Sequence, residues 1–261
     1  SGVRLEAEVH IVTGEITSAQ NIYKSIKRAG YEVNDLVLQP LASAMCVLNN
    51  DEMELGTVLI DLGGGTTDLA LFTDSSIRHT SVIGLGGRNI TNDLAIGLRT
   101  PVDHAEQIKI DFGAAMASLV EAEEMISVPT VGDRPPREVS RSVVANIIEP
   151  RVEEIFKLVL MELKRTNFYQ SVAGGIVLTG GGSLLRGIDL LAEQIFDMPV
   201  RVGIPKGFTG MANIVSNPIY STAFGLVRYG IDHPEKSRRD AGIFNRTFSR
   251  LERVFNSMFN F

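Results

Sequence analysis

Two aspartates bracket a run of glycines in the segment 58–68, VLIDLGGGTTD, and this pattern has the chemistry of a phosphate and metal site. The apolar stretch Thr57–Leu62 predicts a buried strand that brings Asp61 to its carboxyl end, where α/β sheets place their ligands. Mg²⁺ prefers few carboxylates together with several waters. Asp61 and Asp68 could therefore hold hydrated Mg²⁺, and Asp61 is the first candidate for the metal ligand.

The three glycines between these carboxylates carry no side chains, so a phosphate can approach their backbone amides closely. The predicted cofactor-binding residues of this loop are Gly63, Gly64, Gly65, Thr66 and Thr67, the two threonines as hydroxyl donors. No Lys-Ser/Thr follows the glycines, and a strand rather than a helix comes next, so the segment differs from a Walker loop. A tight hairpin between two strands is the alternative interpretation.

A second apolar strand also runs into three glycines, in the segment 176–187, IVLTGGGSLLRG. The glycines would let the backbone approach a ribose or a flat ligand, the following serine could cap a helix, and the leucine after it could lie against a base. The predicted contacts are Gly180, Gly181, Gly182, Ser183 and Leu184. A helix entry without a ligand is the alternative.

Alternating strands and helices must position these loops, which predicts an α/β fold. The predicted strands are Val3–Thr13, Asp35–Leu38, Thr57–Leu62, Thr67–Thr73, Ser76–Val82, Gly175–Thr179 and Pro199–Val202. The predicted helices are Thr17–Arg28, Leu41–Asn49, one within 84–99, Ser142–Asn167 with a kink or break at Pro150, Arg186–Phe196 and Asn217–Tyr229. Residues 101–140 contain several prolines and predict a loop-rich insert.

The C-terminal segment 243–261 has the period of an amphipathic helix. Its predicted apolar stripe consists of Phe244, Phe248, Leu251, Phe255, Met258 and Phe259. The opposite face carries Arg246, Arg250 and Arg253. Such a basic helix with an aromatic face favours the membrane interface. A helix docked on the protein's own core, or in a partner's groove, is the alternative.

Composition and charge limit the classes of function. The chain has 261 residues and a net charge of −6, which argues against a nucleic-acid partner for the whole body. Residues 236–261 hold six Lys/Arg and two Asp/Glu, so this tail carries +4 and the remainder −10. No run of 18 apolar residues occurs, so no bilayer-spanning helix is predicted. The single cysteine, Cys46, excludes an intramolecular disulfide.

Taken together, the two loops resemble the actin, sugar-kinase and heat-shock chaperone ATPase superfamily. The first loop is similar to its second phosphate loop, and the second to its adenosine motif. Asn217–Tyr229 resembles its second connecting helix, whose small residues allow a close helix crossing. Ala105–Lys109 resembles the helix whose Glu and Lys contact adenine and ribose, which makes Glu106 and Lys109 cofactor-binding candidates. A surface ion pair is their alternative.

The superfamily's earlier phosphate loop, with its Asp-Gly-Thr pattern, is not found in this chain. We therefore expect that an N-terminal segment is missing and that the chain holds half of the phosphate clamp.

Further segments resemble the FtsA family of bacterial cell-division adaptors: Ser1–Leu5, Val9–Thr13, Arg78–Thr80 and 84–92 (GLGGRNITN). The resemblance implies ATP and Mg²⁺ as cofactors, self-association into protofilaments, and recruitment of the tubulin-like FtsZ to the inner membrane at the division site, on its cytoplasmic face. It also implies that the C-terminal peptide of FtsZ docks on residues 99–170. It implies at most a slow ATPase, with no general base assigned, and not a metabolic enzyme.

By this resemblance the chain divides into parts of an actin-like fold that is incomplete at its N-terminus. These are the end of a family-specific subdomain (1–37), pieces of a first lobe (38–56 and 213–231), a nucleotide-binding second lobe (57–98 and 171–212), its inserted subdomain (99–170), a linker (232–242) and the membrane helix (243–261). The alternatives are another actin-like adaptor, of the pilus-assembly or MreB type, and a sugar-kinase-like enzyme. The basic aromatic tail separates them, because a soluble kinase has no use for it.

Overall fold

The computed structural model describes residue 4 and residues 9–121, 123–132, 134–207 and 216–234. Its helices are α1 Ile16–Arg28, α2 Gln39–Val47, α3 Asn50–Leu55, α4 Gly87–Leu98, α5 Val102–Phe112, α6 Arg141–Lys164, α7 Ile188–Phe196 and α8 Ser221–Asp232. Its strands are β1 Thr57–Leu62, β2 Thr67–Thr73, β3 Ser76–Ile83, β4 Met125–Val128, β5 Arg137–Ser140, β6 Ile176–Thr179 and β7 Val200–Val202.

A five-stranded mixed sheet in the order β3-β2-β1-β6-β7 forms the centre of the described chain. β1 pairs antiparallel with β2 and parallel with β6, and β6 pairs parallel with β7. Every residue of β1 and β2 is buried. Both faces of these strands are therefore covered, which explains why their sequences are nearly continuous apolar runs rather than alternating ones.

Helices cover the two faces of this sheet and define two apolar cores. On one face, Val58 and Ile60 of β1 pack with buried residues of α4, α6 and α7, including Phe156. On the other face, Leu59 packs with α2. Successive residues of β1 thus enter opposite cores, as the pleat of a strand requires.

Helices α2 and α8 cross each other in very close contact. A Cβ atom built on Gly225 would lie 1.8 Å from the carbonyl oxygen of Ala42, so the crossing requires a residue without a side chain. The thiol of Cys46 donates to the carbonyl of Ser221 across the same interface, at 3.1 Å. The close crossing predicted for the small residues of this helix is therefore present.

Residues 101–140 are more regular than their prolines suggest. They contain α5 and the antiparallel hairpin β4–β5, in addition to a short 3₁₀ helix, Ala117–Leu119. A kink or a break was predicted at Pro150; α6 continues through this residue for 24 residues, so the break does not occur. Arg151 donates to both carboxylate oxygens of Asp93, at 2.6 and 3.0 Å, and this ion pair ties α6 to α4.

Two predicted strands do not form in the described residues. In Val3–Thr13, the described residues 9–13 are not in a strand, and the side chain of His10 forms a hydrogen bond with that of Thr80, at 3.2 Å. In Asp35–Leu38, the carboxylate of Asp35 accepts from the amide of Leu36 and from the hydroxyl of Tyr229. Alternation alone does not make a strand, because a strand also needs a neighbour to complete its hydrogen bonds.

Several boundaries also differ from the predictions. The helix α3 was not predicted, although Asn49 and Glu52 have the spacing of a capping box and form one. α7 begins at Ile188 and α8 at Ser221, each after a short 3₁₀ helix, Gly181–Leu184 and Pro218–Tyr220 respectively. The predicted linker from residue 235 onward and the predicted C-terminal helix lie outside the described residues.

Candidate functional site: two glycine turns at neighbouring strand ends

The two predicted glycine loops lie side by side. β1 and β6 are adjacent parallel strands, and Asp61 pairs with Thr179 at the end of both. The residues that follow, Gly63–Gly65 and Gly180–Gly182, therefore leave the same edge of the sheet. A Cβ on Gly180 would lie 2.3 Å from Oδ1 of Asp61, so the second turn packs directly on the first strand end. Such an edge is where open α/β sheets bind ligands.

Asp61 is a buried carboxylate that accepts three side-chain hydrogen bonds on one oxygen. Oδ2 accepts hydrogen bonds from the Ser43 hydroxyl at 3.0 Å, the Gln39 amide at 3.4 Å and the Thr222 hydroxyl at 3.4 Å. Burial raises the pKa of Asp61 above its ordinary value, and these hydrogen bonds offset only part of that shift. The sequence analysis missed the three donors, which come from α2 and α8.

Asp68 lies in β2, directly across the strand pair from Asp61. Its Oδ2 accepts from the Thr66 hydroxyl at 2.9 Å. Burial raises the pKa of Asp68, the bond from Thr66 opposes this, and the charge of Asp61 adds to it. Among the described residues no group of three or more His, Cys, Asp or Glu side chains could hold a metal. Two carboxylates fit a cation that takes most of its ligands from water and phosphate, as Mg²⁺ does.

The first glycine turn is fastened to the start of α4 by its carbonyl groups. Gly87 donates to the carbonyl of Gly63 at 2.9 Å, and Arg88 donates to that of Gly64 at 2.7 Å. A Cβ on Gly86 would lie 2.7 Å from the Gly63 carbonyl oxygen, so glycine is needed there for packing. The carbonyl oxygens of Gly63 and Gly64 thus accept hydrogen bonds from the protein's own backbone.

Gly64 and Gly65 have no such internal reason to be glycine. A Cβ on either would meet nothing within 4 Å, and neither has a backbone φ in the range that favours glycine. The space above them is open to solvent. An approaching ligand, rather than the protein's own packing, would account for the absence of side chains at these positions.

The two threonines after the glycines have different environments. Thr66 is exposed at the turn, and its hydroxyl donates a hydrogen bond to the carboxylate of Asp68. Thr67 is fully buried in β2, and its hydroxyl donates to the Leu85 carbonyl at 2.8 Å. The predicted role of Thr67 as a hydroxyl donor to a ligand is therefore wrong, because its position in the strand turns the side chain into the protein.

Glu106 and Lys109 form one network with the start of α4. The ammonium group of Lys109 donates to Glu106 at 2.8 Å, to the Thr91 hydroxyl at 2.9 Å and to the Gly87 carbonyl at 3.1 Å, and Thr91 also bonds Glu106. Burial would raise the pKa of Glu106, but the bonds from Lys109 and Thr91 outweigh it and keep the pKa below its usual value. Gly87 joins this network to the first glycine turn.

The second turn begins with Gly180 at a φ of +80°, a conformation that favours glycine. Ser183 is buried, and its hydroxyl donates to the Gly180 carbonyl at 2.7 Å. It therefore closes the turn instead of capping α7, whose N-cap position is Gly187. Leu184 is 55% exposed, which leaves it free to contact a ligand.

Homology identifies the family of this site. A sequence model described as "Cell division protein FtsA" matches residues 58–225, which contain both glycine turns, Glu106 and Lys109. The chain belongs to the FtsA family. Curated FtsA proteins support this: that of Pseudomonas aeruginosa is 54% identical over 231 residues, that of Neisseria meningitidis 51% over 228, and that of Escherichia coli K12 42% over 237.

These FtsA matches cover 88%, 87% and 88% of the chain, respectively, but only 55%, 55% and 56% of the relatives. The chain thus spans about half the length of the curated relatives it matches.

Solved structures place the fold among the actin-like ATPases. MreB5 of Spiroplasma citri bound to ADP aligns with a TM-score of 0.66 at 22% identity, covering 84% of this chain and 68% of that one. The PilM–PilN type IV pilus biogenesis complex aligns with a TM-score of 0.60 at 17% identity, covering 82% and 57%. These likenesses confirm the predicted actin-like α/β fold.

The predicted membrane residues, from Phe244 to Phe259, lie outside the described part of the chain. Within the described part, none of the helices has the length and hydropathy needed to cross a bilayer.

Proposed function

We propose that this chain is the nucleotide-binding part of an actin-like cell-division protein and that ATP with Mg²⁺ binds across the two glycine turns. The observation that carries the proposal is the pair of open glycines, Gly64 and Gly65, beside the buried carboxylate of Asp61. MreB5 of Spiroplasma citri bound to AMPPNP, at 22% identity, shares the fold, with a TM-score of 0.66.

Each part of the site has a distinct task in this proposal. The amides of Gly64 and Gly65 and the hydroxyl of Thr66 contact the phosphates. The predicted amide contact of Gly63 is not part of the proposal, because this amide already donates to the Thr66 carbonyl at 2.9 Å. Asp61 holds the Mg²⁺ ion and its waters. Glu106 and Lys109 contact the adenosine, and Gly180–Gly182 with Leu184 line its other side. Bound Mg²⁺ would supply positive charge against the phosphate oxygens.

A nucleotide-binding experiment tests this site. A fluorescent ATP analogue is titrated into the 261-residue chain with Mg²⁺. Weak binding is expected for the wild type, because one of the two phosphate loops of the clamp is not found in this chain. Binding should be lost in Asp61→Ala, because the variant lacks the metal-facing carboxylate. Asp103→Ala, which removes an exposed carboxylate of α5, is the matched control and should bind normally. Wild-type affinity in Asp61→Ala would place the site elsewhere.

We also propose that the C-terminal segment 243–261 binds the membrane and that the body polymerises and recruits FtsZ. Membership of the FtsA family supports the cell-division role, and the segregation of six phenylalanine, leucine and methionine residues from three arginines in the sequence supports the membrane role. The inserted region 99–170 is the proposed dock for the C-terminal peptide of FtsZ. The division into lobes and subdomains given above is part of this proposal.

Vesicle pelleting tests the anchor. The 261-residue chain should pellet with anionic vesicles, and a chain ending at residue 242 should stay in the supernatant. A Phe248→Gln and Phe255→Gln double variant keeps the charge but loses the apolar face, and it should bind weakly. Undiminished binding by the shortened chain would exclude the segment as the anchor.

A peptide titration tests the dock for FtsZ. A fluorescently labelled C-terminal FtsZ peptide should bind the 261-residue chain, and anisotropy would report the complex. Binding should survive removal of residues 243–261, because the proposed dock lies within 99–170. Loss of peptide binding in the shortened chain would indicate that the peptide binds residues 243–261 instead of 99–170.

A further inference from the structure

Three hydrogen-bond donors on two crossing helices converge on a single oxygen of Asp61. The Ser43 hydroxyl on α2 lies 3.0 Å from Oδ2, and the Thr222 hydroxyl on α8 lies 3.4 Å from the same atom. The two hydroxyls are also 3.0 Å from each other, so they form a closed triangle with the carboxylate. Ser43 is fully buried and Asp61 is 4% exposed, so water does not substitute for these donors.

The other carboxylate oxygen has a different environment. Among the described residues, Oδ1 of Asp61 accepts no side-chain hydrogen bond and faces the Cα atom of Gly180, where a Cβ would approach it to 2.3 Å. A carboxylate has about four lone-pair sites. The donors from the two helices occupy Oδ2, and because Gly180 has no side chain, no Cβ covers Oδ1 on that side.

We propose that Ser43 and Thr222 are positioning residues that orient Asp61 so that Oδ1 faces the Mg²⁺ of the bound nucleotide; this rests on the proposed function. Without the hydroxyls, the buried carboxylate would turn toward other donors and lose its fixed direction. Metal ligands in proteins depend on such outer hydrogen bonds for their orientation.

The position of the donors adds a second consequence. α2 and α8 touch at Gly225 and Ala42, and Ser43 is the neighbour of Ala42 in the chain. Any shift of this crossing therefore moves the two hydroxyls relative to each other, and with them Asp61.

The test measures the affinity for ATP in Mg²⁺ and in EDTA, and the ratio of the two is the readout. In Thr222→Val, which has the same shape without the hydroxyl, the ratio should fall about tenfold, since a hydrogen bond to a charged group is lost. The affinity for ATP in EDTA should stay within about twofold. Thr222→Ser keeps the hydroxyl and should restore the ratio.

Two further variants separate positioning from simple destabilisation. Ser43→Ala should lower the ratio in the same way as Thr222→Val. Ser221→Ala removes a neighbouring buried hydroxyl of α8 that bonds Thr179 instead of Asp61, at 2.6 Å, and the ratio should stay unchanged even if the melting temperature falls.

The outcomes distinguish the two proposals. A normal ratio in both Thr222→Val and Ser43→Ala, with ATP still bound, would overturn the positioning role and leave the proposed function intact. A wild-type chain that binds no ATP in either buffer would contradict the proposed function, and the inference would fall with it.

Discussion

At the scale of single residues, Asp61 is a buried carboxylate whose hydrogen-bond partners in the described chain carry no charge. The side chain is 4% exposed, and no cation bonds it among the described residues; all three donors are neutral groups. Buried carboxylates without a cationic partner lose hydration that neutral donors replace only in part. A bound metal ion would supply the missing positive charge.

We expect Asp61→Asn to raise the melting temperature of the nucleotide-free chain at pH 7.5. Burial raises the pKa of Asp61, so its contribution to stability is present below its ordinary value of 3.8 and is lost as the pH rises through the raised pKa. The advantage of the variant should therefore shrink as the pH falls towards 4. Thermal melts of the wild type and the variant at both pH values measure this difference in melting temperature. A variant less stable than wild type at pH 7.5 would contradict this account.

The glycines of the two turns should respond differently to alanine. Gly180→Ala places a Cβ 2.3 Å from Asp61 at a φ of +80°, and we expect it to lower the free energy of unfolding by about 2 kcal/mol or more. Gly64→Ala meets nothing within 4 Å and should leave stability unchanged while weakening ATP binding. Denaturant melts and nucleotide titrations of both variants measure the difference. Equal stability loss in the two would show that packing explains both glycines.

Sequence reasoning found the glycines and aspartates of the site because they are neighbours in the chain. It missed Ser43 and Thr222 because they reach Asp61 from 18 and 161 positions away. It also assigned Thr67 to the ligand, since spacing along a loop does not reveal which hydroxyl a strand turns inward. The contacts that fix a carboxylate are tertiary, and no local pattern predicts them.

At the scale of secondary-structure elements, the crossing of α2 and α8 depends on one position. We expect Gly225→Ala to destabilise the chain by about 2 kcal/mol or more, because its Cβ would lie 1.8 Å from the Ala42 carbonyl oxygen. In the same helix, a Cβ on Gly230 would meet nothing within 4 Å. Gly230→Ala should therefore raise the free energy of unfolding by up to about 1 kcal/mol, because alanine has a higher helix propensity than glycine. Urea denaturation compares them. If Gly225→Ala matched Gly230→Ala, the close crossing would be absent in solution.

The buried elements were predicted more accurately than the exposed ones. β1 and β2 have the predicted bounds because both of their faces are covered and their apolar runs end in polar turns. The predicted strand Val3–Thr13 failed in its described part because apolar alternation carries no information about a partner. α3 was overlooked because its six residues are too short to show a periodic pattern, although its capping box is visible in the sequence.

At the scale of the whole molecule, charge is unevenly distributed between the body and the tail. Residues 236–261 carry +4, and the remainder carries −10. An anionic bilayer repels an acidic body and attracts a basic tail. We therefore expect the tail to contact the bilayer before the body does. Salt screens both effects within about 10 Å at 0.1 M.

We expect binding to anionic vesicles to weaken as the salt concentration rises, because the arginines of the tail contribute part of the affinity. Changing Arg246, Arg250 and Arg253 to glutamine should weaken binding at low salt and remove most of the salt dependence. Vesicle pelleting at about 50 and 500 mM NaCl measures both. Salt-independent binding by the wild type would assign the affinity to the apolar face alone.

The central strand β1 receives its two neighbours at very different times during synthesis. β2 follows it within a few residues, whereas β6 arrives far later: the Thr57 hydroxyl donates to the carbonyl of Gly175, 118 positions away. At a translation rate of about 5–20 residues per second, β1 waits roughly 6–24 seconds on the ribosome with one edge unpaired. During that interval the nascent chain exposes a hydrophobic strand edge of the kind that invites aggregation. We expect newly made chains to need protection by a chaperone until β6 has emerged.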